Sequence, residues 1–264
     1  MNLHLRALRF GGQEGFSLVE LLVALAICTL ISAAIGAIVP PSRAAFEQTP
    51  AALELQQRGR TAIDTIAQAV RSAGITNVVP PMVLSVPDPS GERFTRLLAM
   101  ARTLHAAEGI LAADQQGSSG DLLLSESSCP AVNDVCGFTR GASVVIADGL
   151  GRFDLFTVAA TNEGLNSVSS SVAFAEPYPA GSLVIAVDAH TFRLDAQPDG
   201  SKTLVRETVA GAIQPIVDHV ADLSFQASGA EFEVNLTLHA APTAEYRRVR
   251  DRAFHAGVFL RNVP

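Results

Sequence analysis

An apolar run from Phe16 to Val39, holding a single acidic or basic side chain, constrains this chain more than any other feature. That side chain is Glu20, within a turn and a half of the run's start. At about 1.5 Å per residue the 24 residues make a helix of roughly 36 Å, enough for a hydrocarbon core of ~30 Å. An acid at that depth costs about 2.5–3.5 kcal/mol on insertion scales, so a carboxylate kept there marks a functional position. The bland alternative is a glutamate at the membrane edge reaching back to the headgroups. Arg6 and Arg9 precede the run and place its start on the cytoplasmic side by the positive-inside rule. The remainder is then expected in the periplasm. A secretory signal would have a shorter apolar region with small residues at a cut behind it. Here the one processing site in view lies in front of the run, so the helix is expected to stay on the mature protein.

The chain of 264 residues suits one anchor helix and one domain of ordinary size. A formal charge of −7 and a pI of about 5.3 offer no basic surface for a nucleic acid. The absence of tryptophan, with Ala, Val, Gly and Ser abundant, describes a β-rich domain of modest side chains. Cys28 lies within the apolar run and reads as a small apolar residue. Cys129 and Cys136 close the loop CPAVNDVC, a spacing that suits a loop-closing disulfide in an oxidising compartment. Half a zinc site is the rival, although no second Cys or His pair follows at ligand spacing.

Pro40-Pro41 ends the apolar run, and two missing donors predict a kink or brief break in the helix. Beyond it Leu53, Leu55, Ala62, Ile63, Ile66, Ala69, Val70 and Ala73 recur at three- and four-residue spacings among charged residues. That is an amphipathic helix, with Arg71 in its last turn and Gly74 as its C-cap. Residues 94–116 hold a possible short helix through Leu97, Leu98, Met100, Ala101 and Leu104. Short β-like runs follow at 121–125, 143–147, 153–159, 182–187, 191–194, 203–208, 223–226, 232–238 and 254–260. Turn signals separate them, among them Asp148-Gly149-Leu150-Gly151 and Pro198-Asp199-Gly200. In Glu231–His239 the apolar Phe232, Val234, Leu236 and Leu238 alternate with polar residues, which makes a strand with one buried face. The fold class expected is α+β: a long N-terminal helix covering one face of an antiparallel sheet.

The stretch Gly15-Phe16-Ser17-Leu18-Val19-Glu20, with the apolar run behind it, resembles the class III signal of type IV prepilins and type II secretion pseudopilins. The resemblance implies that a dedicated prepilin peptidase–methylase cuts after Gly15 and N-methylates Phe16. It also implies that the Glu20 carboxylate meets the positive N-terminus of a neighbouring subunit as the helices bundle. A type IV pilin-like plan follows: a cleaved leader over 1–15, a transmembrane and assembly helix over 16–39, an amphipathic continuation over 40–76 and a periplasmic β-rich domain over 77–264. Three later stretches resemble the larger minor pilins of the PilW type. They are the helix exit Arg71-Ser72-Ala73-Gly74, the run QPIVDHVADLSF from Gln214, and the terminal Phe259-Leu260-Arg261-Asn262.

Chemistry carried by the chain itself finds little support in the sequence. His4, His105, His190, His219, His239 and His255 show no metal-ligand spacing, and no Walker A, G-x-S-x-G or G-x-G-x-x-G motif occurs. Asp195-Ala196-Gln197-Pro198-Asp199-Gly200 reads as a turn, since it lacks the remaining acids of a calcium loop. The expected function is a minor type IV pilin without enzymatic activity, cofactor or metal, processed at the inner membrane and then drawn into a pilus. Its expected partners are the peptidase and other major and minor pilins or pseudopilins, met through the N-terminal helix. A J-type minor pseudopilin of type II secretion and a DNA-uptake pilus subunit share the same leader and plan. A membrane-tethered periplasmic enzyme or binding protein is the rival of another class, and an adhesin at a pilus tip is a further alternative.

Overall fold

The computed structural model describes residues 17–74, 79–80, 82–88, 91–103, 107–116, 120–125, 135–174, 176–228, 231–240 and 250–259. The chain divides into two compact units, Met1–Pro50 and Ala51–Pro264. One helix, α1 (Leu18–Ser72), contributes to both. It continues through Pro40 and Pro41, where the sequence predicts a kink or break. Each proline removes one rung of the backbone ladder, and the 55-residue helix has many turns on either side to hold its register.

In the second unit the helix buries one stripe. Leu55, Ala62, Ile63, Ile66, Ala67 and Val70 are buried, while Glu54, Arg60, Asp64 and Arg71 are exposed. Leu53, which the spacing assigns to the apolar face, is 60% exposed. A gap in the stripe at Gly59 has a cause on the sheet: a Cβ there would lie 2.2 Å from the Phe254 ring. The helix ends at Ser72, and Gly74 serves the sheet rather than the helix carbonyls. At φ 148° its N–H donates to Met100 O (2.9 Å), and its carbonyl accepts from Arg102 N (3.1 Å).

Among the described residues thirteen strands follow. They are β1 (Met82–Pro87), β2 (Phe94–Arg102), β3 (Glu108–Ile110), β4 (Asp121–Leu123), β5 (Ser143–Ala147), β6 (Phe153–Asn162) and β7 (Ser167–Ser170). The rest are β8 (Leu183–Ala196), β9 (Lys202–Thr208), β10 (Ile213–Val217), β11 (Val220–Ser228), β12 (Glu231–Leu238) and β13 (Arg252–Phe259). All pair antiparallel, in the order β13-β12-β11-β2-β8-β5-β6-β7-β4, with β1 on β2, β3 and β9 on β8, and β10 on β9. The possible helix over 94–116 is therefore corrected to strands β2 and β3. The runs at 182–187 and 191–194 are one strand, β8. Its first half is flanked by β3 and β5, its second by β2 and β9.

Side-chain alternation sorts the core into three clusters. The first joins the helix stripe to Leu97, Phe192, Leu204, Phe225 and the inward face of β12. There Phe232, Val234, Leu236 and Leu238 are buried as the sequence alternation requires. The second lies around β4 to β7 and is built on edge-to-face rings, Phe156 on Phe174 (5.4 Å) and Phe174 on Tyr178 (5.9 Å). The third holds Met100, Val145, Ile185, Val187 and Ala189. Its β8 members are odd-numbered, so it lies on the other face of that strand from Phe192.

Candidate functional site

The N-terminal helix starts where its sequence supplies a cap. Ser17 Oγ accepts from Val19 N (3.3 Å), and Ser17 O accepts from Glu20 N and Leu21 N (3.0 and 3.1 Å). Glu20 therefore stands in the first turn, where a carboxylate faces the positive end of the helix dipole. Its carboxylate is exposed and has no hydrogen-bond or ion-pair partner among the described residues. Leu18–Gly36 is 19 residues long, apolar enough to cross a membrane, and exposed throughout. Leu18, Val19, Leu21, Leu22, Val23, Leu25, Ile27, Leu30, Ile31 and Ile35 leave no side of it polar. Each such side chain is worth about 1.5–3 kcal/mol on burial, so the segment is built for lipid or for other helices, not for water. Thr29 Oγ1 donates to Ala26 O (2.8 Å), which satisfies its own hydroxyl hydrogen within the helix.

The structure places the other residues of interest unevenly. Gly15, Phe16 and Cys129 lie outside the described residues, as do His4 and His105. Cys28 is free and exposed on the apolar helix. Cys136 is buried and disulfide-bonded, and its Sγ is 3.3 Å from where a Cβ on Gly109 would stand. His190 bonds Asp188 (2.9 Å), His239 bonds Asp251 (2.6 Å) and His255 bonds Asn235 (2.9 Å). His219 occupies a left-handed corner at φ 56°.

That corner explains part of the QPIVDHVADLSF run. Its first residues form β10, Asp218-His219 turn the chain, and β11 follows. Arg58 on the helix donates to Asp218 O (2.8 Å), the Asp218 carboxylate accepts from Thr203 Oγ1 (3.0 Å), and His219 O accepts from His239 N (2.8 Å). The run thus fastens helix, β9 and β12 at one point. The stretch stands out in the sequence but its role does not, because Arg58 and Asp218 are 160 positions apart.

A family model described as the prokaryotic N-terminal methylation motif matches residues 11–38. No curated protein matches the chain. The N-terminal segment is thus of the prepilin type, which implies processing by a prepilin peptidase and assembly with other pilin-like subunits in general.

Proposed function

We propose that the chain is a minor type IV pilin of the PilW type, cut after Gly15, N-methylated at Phe16 and held in the inner membrane with its β domain in the periplasm. The observation that carries this reading is the coincidence of the methylation motif over 11–38 with an apolar helix exposed on every side. Glu20 is the one acid of the segment Leu18–Gly36, and its carboxylate has no partner among the described residues. A carboxylate in hydrocarbon needs a counter-charge, and an α-amino group freed by cleavage at the same depth supplies one on a neighbouring subunit. The role is structural: the chain is a substrate of the peptidase–methylase and performs no catalysis itself.

A deletion strain complemented with the wild type, or with a chain carrying an unrelated membrane anchor, tests this. The reading predicts that surface pili are lost on deletion while protein secretion continues, and that only the wild type restores them. Lost secretion with normal pili would assign the chain to the J-type pseudopilins. Full rescue by the unrelated anchor would make the helix a mere tether and sink the pilin reading.

A further inference from the structure

One face of β8 is interrupted in a way the two cores beside it do not require. Along its even-numbered residues, Val184 and Ala186 belong to the second cluster, and Phe192 and Leu194 to the first. Between them stand Asp188 and His190, polar residues in the seam of two apolar clusters on one strand face. The last turns of α1 pass over this seam and leave an open groove of about 190 Å³. Gln68, Ser72, Asp188, His190 and Arg206 line its walls, and Ala99 and Ala101, paired to His190 and Asp188, form its floor.

The charges of the groove are fixed and kept apart. Asp188 Oδ1 is held by His190 Nε2 at 2.9 Å, and Arg206 Nη2 donates to Gln214 Oε1 at 2.6 Å. Phe192 is opposite Arg206 in the sheet, so Asp188 and Arg206 stand four residues apart along the strands, roughly 13 Å. No ion pair joins them among the described residues. Gly74 bridges Ala101, the neighbour of Asp188, so the negative end of the helix dipole falls at the Asp188 end. His190 Nδ1 is buried with no hydrogen-bond partner among the described residues. The cost to folding lies at His190, since an unpaired buried nitrogen is destabilising, whereas the Asp188 side chain is 61% exposed and open to a ligand.

We infer that the groove binds a small dipolar molecule of the ω-amino acid class, with its ammonium at Asp188 and its carboxylate at Arg206. The volume fits a molecule of that size, and among the described residues no Phe or Tyr lines the groove to stack a base or a sugar ring. The site is independent of the apolar segment Leu18–Gly36 and of the pilin reading.

Calorimetric titration of the full-length chain in detergent tests it, with glycine, γ-aminobutyrate and ε-aminohexanoate as probes and acetate and methylammonium as single-charge controls. The longer ω-amino acids are expected to bind more tightly than glycine, and the controls not at all. Asp188→Asn and Arg206→Gln should each weaken binding about tenfold or more, the loss of one charged hydrogen bond. Ala101→Leu, which fills the floor and keeps both charges, should abolish it, with circular dichroism confirming that each variant is folded. Silence from every probe on the wild type, or binding that the folded variants all retain, would overturn the assignment.

Discussion

At the scale of single residues, Asp148 shows how one buried carboxylate organises a turn. Its side chain is 1% exposed. Oδ1 accepts from Leu150 N and Arg152 N (both 2.9 Å), and Oδ2 from Arg152 Nε (2.6 Å). Burial pushes its pKa up, but hydrogen bonds from the Arg152 side chain and the two amides, with the Arg152 charge, hold it below the ordinary 3.8. A lowered folded pKa stabilises the protein fully above 3.8, and this contribution is lost as pH falls through the folded value. Asp148→Asn is therefore expected to lower Tm at neutral pH and to flatten the loss of Tm below about pH 4, read by thermal unfolding across pH. The turn itself was legible as Asp148-Gly149-Leu150-Gly151; the Arg152 clamp was not, because its strength depends on burial. Glu20 belongs to the same scale. Glu20→Gln keeps the shape and removes the charge, so leader cleavage should continue while incorporation into fibres falls on the order of tenfold or more, measured by immunoblot of sheared pili.

Among the elements, the helix stripe and β12 were legible because each has one wet face, so burial imprints a period of 3.6 or 2 on the sequence. Strand β2 was not. Leu97 and Ala99 face the first cluster and Met100 the third, so both faces are covered and the run is apolar without alternation. Strand β8 reads as two because Asp188 and His190 interrupt its apolar pattern. The Gly59–Phe254 contact could not be read at all, since it joins positions that only the folded sheet brings together. Gly59→Ala drives a methyl into that ring and is expected to destabilise the domain by about 1–3 kcal/mol. Phe254→Ala in the Gly59→Ala background should return part of the loss, as a double-mutant cycle by denaturant unfolding would show. The disulfide of Cys136 lies beside the second core. Non-reducing peptide mapping is expected to link it to Cys129, and Cys136→Ser to cost about 2 kcal/mol, a loss the reduced wild type should share.

For the whole molecule, the two units answer to different environments. Residues 18–36 make an apolar surface that water cannot satisfy, whereas the thirteen-stranded unit carries its own three-part core. The motif over 11–38 ties the first of these to a processing event, and the proposal that the chain is an assembled subunit rests on that event. The most direct measurement is the intact mass and N-terminal sequence of the protein recovered from membranes with and without the prepilin peptidase. A mature chain that begins at Phe16 and is one methyl group heavier than its sequence is expected, with full-length precursor accumulating when the peptidase is absent. An N-terminus at Met1 in both strains, or a cut behind the apolar helix, would contradict it.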